Sequence, residues 1–387
     1  MQSISPTAPI GLGTGRHALA AALGLAATGA RLCARHPSPS VSACHALLLE
    51  PYGLGDALSL VPLTRALLHH GWRVTVCARA PWRDAFPADV RWVDCRLPWT
   101  AYDDSQKYRL GSLFGPEMRS FLRQLRSAAA GAVGVDTRGD VRSHLLLWLA
   151  DCRRVLTLDR YLGYDLANRP WSAETIPFDS SLRRWQSNLR FLSALCPEAD
   201  PAAFPLDLRS QWPDVPTPGN AQTIGLIPLA PWQGKWWPSD CWGQTIDRLR
   251  AGGWVVRGLA GPGQQSATAE ALGMPVDAVT VCSDLRAWAH ALASLNALIT
   301  VDTGPMHLAD ALHVPLVALY GAGTLPLWAP TSPHSIALHR QLDPDYAPVH
   351  PTGAGIARGQ ELMRRHSPES VLAALSSVTT PAPAHPD

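Results

Sequence analysis

The residues best placed to do chemistry fall in three short segments. The first is Ile299-Thr300-Val301-Asp302-Thr303-Gly304-Pro305-Met306-His307-Leu308-Ala309. An apolar strand ends at Asp302, and Pro305 has the fixed φ and missing N–H that suit a first helical turn. Thr303 stands where it can cap that helix, and Gly304 lets a ligand approach the backbone closely. The amides and positive dipole end of such a helix start form an anion site, and His307 can donate to a phosphate oxygen there. The same spacing also fits a bare helix cap with His307 a satisfied polar group.

The second segment is Gly53-Leu54-Gly55-Asp56, again where an apolar run opens into a helix. A carboxylate at that edge can take a proton from a hydroxyl nucleophile. Aspartate is equally a common helix cap, and spacing alone favours the cap. The third segment runs from Pro228 through Trp232, Lys235, Trp236 and Trp237 to Pro238. Lys235 precedes a helix and can meet a diphosphate. The tryptophans either pack that loop or stack on a sugar or base. Of 33 basic residues only Lys107 and Lys235 are lysines, so a retained lysine is mildly informative.

These segments need elements to hold them. Residues 46–49 read as a buried strand, 57–69 as a helix ended by Gly71, and 73–77 as a second strand, a β-α-β unit. Strand 132–136, helix 143–150 and strand 154–157 continue the alternation. Residues 211–222, with Pro213, Pro216 and Pro218, break both periodicities and read as a linker. The alternation restarts with strands at 223–228, 254–259, 297–301 and 315–320 and helices at 239–251, 285–295 and 304–312. A last helix at 368–378 has Ser367 as its N-cap. The expected organisation is a tail or extra helix at 1–44, doubly wound domains at 45–212 and 223–340, and an extension at 341–387.

Composition narrows the classes. A chain of 387 residues exceeds one comfortable core. The formal net charge of +2 gives no reason to expect nucleic acid as a partner. The eight cysteines form no C-x-x-C pair or metal-finger spacing, a pattern of reduced thiols in a cytoplasm. Residues 1–49 contain no Asp or Glu, and the apolar run 18–30 is shorter than the ~20 residues a membrane-spanning helix needs.

The segment 302–309, continued by Ala311-Leu312-His313-Val314-Pro315 to Tyr320-Gly321, closely resembles the D-T-G-x-x-H signature of the heptosyltransferase family of glycosyltransferases. Gly55-Asp56 with Pro62, Arg138-Gly139 with Ser143, Lys235-Trp236-Trp237-Pro238, and 321–324 with Trp328-Ala329-Pro330 resemble its other motifs, in order over about residues 46–340. The resemblance implies the GT-B fold: α/β, with two Rossmann-like doubly wound domains facing an interdomain cleft, acceptor side first. It implies inverting, metal-independent transfer of heptose from ADP-heptose to a lipopolysaccharide-core or related glycolipid acceptor. No cofactor beyond that ADP-linked cosubstrate is implied. Carried over, Asp56 is the general base and Lys235 holds the donor phosphates. Thr303, Gly304 and His307 bind the diphosphate, Asp302 orients their turn, and Pro228, Trp232 and Thr324 line the donor site. Gly55, Arg138, Trp99 and Lys107 fall on the acceptor side. The implied location is cytoplasmic, with peripheral association at the inner membrane left open.

The chain departs from the family after the strand at 254–259. The turn Gly261-Pro262-Gly263-Gln264-Gln265 lacks the acidic residue that family members often place near the donor ribose. A different donor or acceptor therefore stays open, as does a non-catalytic nucleotide-sugar binder, although a binder needs no base. A dinucleotide oxidoreductase fits poorly, because the third glycine of G-x-G-x-x-G and the following acid are missing. The cysteine-ligated iron motif of some relatives is missing too.

Overall fold

The computed structural model describes residues 44–95, 115–138, 141–161, 164–165, 173–220, 222–321, 326–339 and 353–379. The chain divides into two compact units, Met1–Leu206 and Asp207–Asp387.

In the first unit, β1 (His45–Glu50) leads into two short helices, α1 (Leu54–Leu58) and α2 (Val61–His69). There follow β2 (Arg73–Ala78), β3 (Arg91–Asp94), α3 (Pro116–Ala129), β4 (Val133–Asp136), α4 (Val141–Leu149) and β5 (Arg154–Leu158). A small antiparallel pair, β6 (Arg160–Tyr161) and β7 (Tyr164–Asp165), precedes β8 (Ala173–Ile176), α5 (Arg184–Leu189) and α6 (Leu192–Leu195). Six strands form one parallel sheet in the order β3-β2-β1-β4-β5-β8. Leu47, Leu48 and Leu49 are fully buried, as expected of a strand covered on both faces.

The single helix expected over 57–69 is broken. Pro62 sits in the first turn of α2, where it has no N–H to continue a ladder from α1. Ser59 turns the corner, its hydroxyl donating to the Asp56 carbonyl at 2.6 Å. The break leaves Asp56 on its own short helix. The helix at α3 was not foreseen, although Met118, Phe121, Leu125, Ala128 and Ala129 give it an apolar stripe at helical spacing.

The second unit repeats the plan. Its elements are β9 (Thr223–Ile227), α7 (Ser239–Ala251), β10 (Val255–Ala260), α8 (Gln265–Leu272), β11 (Val279–Val281), α9 (Leu285–Ala293) and β12 (Ala297–Val301). Then come α10 (Gly304–Ala311), β13 (Leu316–Tyr320), β14 (Ser335–His339), α11 (Gly353–Arg364) and α12 (Pro368–Thr379). The strand order β11-β10-β9-β12-β13-β14 is all parallel, the same winding as the first sheet. Both are the doubly wound order in which ligands bind beyond the carboxyl ends of the strands, where the winding reverses.

Two segments sit differently from the sequence reading. The proline-rich stretch 211–222 belongs with the second unit. Trp212 is buried there with the Arg286 guanidinium 4.7 Å from its ring, and Arg209 donates to the Pro216 carbonyl at 2.9 Å. The helices α11 and α12 are not an appendage. Met363, Val371, Leu375 and Val378 join the same apolar cluster as Trp242, Ile299 and Leu319. Ser367 caps α12 as expected, accepting from the Ser370 amide at 3.2 Å.

The contact between α11 and the Lys235 loop leaves no space for a side chain. A Cβ on Gly359 would lie 2.4 Å from the Gly234 carbonyl oxygen, and that obstacle is backbone. Gly359→Ala is therefore expected to lower stability by ~1–3 kcal/mol, as overpacking does. Gly243, inside α7, has nothing within 4 Å of its would-be Cβ, so Gly243→Ala should raise stability by ~0.5–1 kcal/mol. Denaturant melts of the two variants check the pair, and equal effects would refute the packing account.

Candidate functional site

In the first unit, the reversal of winding falls between β1 and β4, and both strands end in a buried carboxylate there: Glu50 and Asp136, each 0% exposed. Glu50 is held on both oxygens. Oε1 accepts from the Tyr52 amide (3.3 Å) and from Arg138 Nη1 (3.3 Å), and Oε2 accepts from the Thr137 hydroxyl (3.3 Å). Arg184 Nη2 lies 3.7 Å from Oε2, and its Nη1 donates to the Thr137 carbonyl at 2.8 Å. Asp136 accepts from the Arg138 amide at 3.0 Å and pairs with His144 Nδ1 at 2.8 Å.

Asp56 lies on the rim of this cluster. Its Oδ2 accepts from the Gly53 amide at 3.3 Å, so Asp56 is not the N-cap expected of it: Gly53 is, and Asp56 reaches back to it from the third helical position. Its Oδ1 accepts from Arg138 Nη1 at 2.6 Å, a contact a cap does not require. One guanidinium nitrogen thus serves two carboxylates, and the guanidinium carbon lies 3.8 Å from the Tyr52 ring centroid. Burial, more than any other influence, raises the Glu50 carboxyl from its ordinary 4.5 to about 7. The Asp56 charge adds to that rise, while Arg138 and Arg184 oppose it.

The helix α5 fixes the cluster from behind. Arg184 and Asn188 are one turn apart on its buried face. Asn188 Nδ2 donates to the Ser59 hydroxyl (2.8 Å) and carbonyl (3.0 Å), clamping the corner between α1 and α2. Neither residue was singled out from sequence. Their one signal was a largely polar run, Arg183-Arg184-Trp185-Gln186-Ser187-Asn188, on a segment whose burial no periodicity reveals.

In the second unit, the reversal lies between β9 and β12. Pro228 and Trp232 are buried, and Lys235 closes a tight turn, Gln233–Lys235, that follows them. Lys235 Nζ donates to Asp302 Oδ2 at 2.6 Å, with side chains 15% and 7% exposed. The expected separate roles of Lys235 and Asp302 thus converge on one ion pair. Gly234 fits under the Trp232 indole, where a Cβ would meet Cζ2 at 2.5 Å. Trp236 donates to the Ala230 carbonyl (2.8 Å). Trp237 donates to the His366 carbonyl (3.1 Å) and packs edge-on against Trp242 at 4.9 Å. These two rings pack the loop.

Thr303 is the N-cap of α10 in extended conformation, but its side chain makes no cap bond, contrary to expectation. Gly304 and Pro305 open the helix, and the His307 ring packs against Trp328 at 5.5 Å. Gly55 lies in the first turn of α1. Thr324, Trp99 and Lys107 lie outside the described residues. Trp92 is on β3 and packs against Phe86 at 5.3 Å.

The Glu50 pKa has a thermodynamic consequence. Raised from 4.5 to about 7 in the fold, it makes the native state hold a proton that the unfolded chain releases. This group's contribution to stability therefore falls as pH rises through that window and is flat above it. Arg138→Ala removes the cation that Glu50 and Asp56 share. On the alkaline side of pH 7 it should cost ~3–5 kcal/mol, the range for breaking a buried pair. On the acid side Glu50 takes up a proton instead and the loss shrinks. Denaturant titrations on both sides check it; a loss independent of pH would contradict the assignment.

The model of glycosyltransferase family 9 (heptosyltransferase) matches residues 118–347, more than half of the 387. Lipopolysaccharide heptosyltransferase 1 of Pseudomonas aeruginosa is 37% identical over 92 residues, 23% of this chain; the match spans 26% of that relative's length. E. coli heptosyltransferase WaaC, solved with ADP, has a TM-score of 0.65 at 14% identity, covering 86% of this chain and 99% of that one. E. coli ADP-heptose lps heptosyltransferase II has a TM-score of 0.58 at 18% identity, covering 87% and 98%. At these identities the likeness is one of fold, two Rossmann-like domains of GT-B type. With a family match over most of its length and that fold, the chain belongs to glycosyltransferase family 9, the heptosyltransferase family.

Proposed function

We propose that this chain is an inverting glycosyltransferase that works without a metal and moves heptose from ADP-heptose onto a lipopolysaccharide-core or related glycan acceptor. One observation carries the reading. Each sheet places its ionisable cluster at its own winding reversal, with a rim carboxylate in the first unit and a lysine beside a helix start in the second. The relative WaaC has been solved with ADP and with ADP-2-deoxy-2-fluoro heptose, which supports an ADP-linked donor here.

Asp56 takes the proton of the acceptor hydroxyl as that oxygen attacks the anomeric carbon, and the bond from that carbon to the diphosphate oxygen breaks. A base in this position contributes ~10²–10⁴-fold. Negative charge then grows on the diphosphate. Lys235 Nζ and the first-turn amides of α10 are the fixed positive groups available to it, each such donor being worth ~2.7–4 kcal/mol in a dry site. Asp302 holds Lys235 in place, and α11 backs the loop that carries it. Arg138, beside Asp56, takes an acceptor-side role. Among the described residues no helix is long and apolar enough to cross a membrane. A cytoplasmic location with peripheral contact to a lipid-linked acceptor belongs to the same proposal.

Two substitutions separate the roles. Asp56→Ala is expected to abolish transfer while ADP binding, measured by calorimetry, stays within about twofold. Equal loss of both would make Asp56 structural. Lys235→Ala is expected to weaken donor binding and turnover together, and unchanged donor kinetics would remove Lys235 from the site. Titration with ADP, UDP, GDP and CDP, with and without magnesium, tests the donor directly. Selective ADP binding without magnesium supports the reading; preference for another nucleotide reassigns the sugar, and no binding at all favours a non-catalytic chain.

A further inference from the structure

Glu50 has no part in the chemistry above, yet it is, like Asp136, fully enclosed at that edge of the first sheet. Its Oε1 and Asp56 Oδ1 accept from the same Arg138 nitrogen, at 3.3 Å and 2.6 Å. The two carboxylates therefore compete for one positive charge. We infer that Glu50 is a positioning residue for transfer, acting through Arg138 to set how strongly Asp56 can take a proton. The inference rests on the assignment of Asp56 as the base.

The direction follows from electrostatics. With Glu50 ionised, the guanidinium charge is divided between two carboxylates, and Glu50 adds its own negative potential at Asp56. Both effects make Asp56 more basic. With Glu50 protonated, that division of charge and that negative potential are both gone. The geometry sets the other charges that bear on Glu50. Asp56 comes from α1, Arg138 and Asp136 from the end of β4, His144 from α4 through Asp136, and Arg184 from α5. Arg79, after β2, donates to the adjacent Pro51 carbonyl at 2.8 Å. The proton on Glu50 is exchanged around pH 7, so the switch lies in an accessible range. The two carboxylates share one guanidinium nitrogen, and each substitution below is chosen to read that coupling rather than a single site.

The test has two arms on the full chain. The first needs no turnover: the carboxyl carbons of the protein, labelled in its glutamates, are followed by NMR across pH. One resonance should titrate near pH 7 in the parent. It should be missing in Glu50→Gln, and it should titrate at lower pH in Asp56→Asn, because the Asp56 charge raises it. A Glu50 resonance that titrates in the ordinary carboxylate range, or that ignores Asp56→Asn, overturns the inference. The second arm uses ADP-heptose with a lipopolysaccharide inner-core glycolipid. The parent's kcat should rise through pH 7. In Glu50→Gln it should fall about tenfold, part of what a positioned base supplies, with the donor KM unchanged and the rise through neutrality gone. Glu50→Asp should restore part of the rate and a pH-dependent rise. A Glu50→Gln profile that keeps the parent's shape overturns the inference even if the rate falls, since a merely structural role would scale the curve. A parent that transfers no heptose defeats the proposed function instead, and the NMR arm still decides the coupling.

Discussion

A carboxylate with no exposed surface cannot remain ionised in a protein unless positive charge and hydrogen bonds replace its water. Glu50 imposes that demand on the first unit. Strand β1 ends on it, and the four residues that answer it come from three other places in the chain: Tyr52 from the loop after β1, Thr137 and Arg138 from the loop after β4, and Arg184 from α5. Asp56 reaches its position because the same guanidinium that serves Glu50 also holds it. The candidate base is thus placed by a neighbouring buried charge as much as by its own helix.

This arrangement explains why α5 belongs to the site although it carries no chemistry. Arg184 and Asn188 face the same side, one turn apart. The first answers Glu50 and Thr137, and the second clamps Ser59 at the corner below Asp56. Loosening α5 would disturb the charge balance and the backbone geometry together. The break at Pro62 serves the same end. A continuous helix over 57–69 would leave Asp56 just ahead of it with no corner to clamp, whereas the short α1 can be held from Gly53 on one side and Ser59 on the other.

The alternation of strands and helices was legible because buried parallel strands are continuous apolar runs, as in Leu47-Leu48-Leu49 and Leu298-Ile299. Their helices carry local signals such as Pro305 and Ser367. The locations of Asp56, Lys235 and Asp302 at strand ends were legible for the same reason. Their pairings were not. Arg138 lies 82 residues from Asp56, and Lys235 lies 67 from Asp302, so each contact exists only once a sheet has brought two strand ends together. Glu50 was hidden by its place at the end of an apolar run, where a charged residue ordinarily marks the exit to solvent. The short strand β11 and the edge strand β14 were missed because three to five partly exposed residues leave no clear period of two.

The two sheets have the same winding and put opposite demands on the same position. At the first reversal, three carboxylates, Glu50, Asp56 and Asp136, are gathered with Arg138, Arg184 and His144, so the edge is a balance of opposed charges. At the second, one lysine and one aspartate stand beside the start of α10, whose dipole adds positive potential. Its loop is held rigid by indole packing and by a glycine-to-glycine contact with α11. A hydroxyl that must lose a proton needs the first kind of edge, because basicity there can be set by neighbours. A leaving diphosphate needs the second, because stabilising a growing anion requires positive groups that do not move as it forms. Identical topology therefore supplies two places, and the residues at each strand end determine which half of a displacement each place can support.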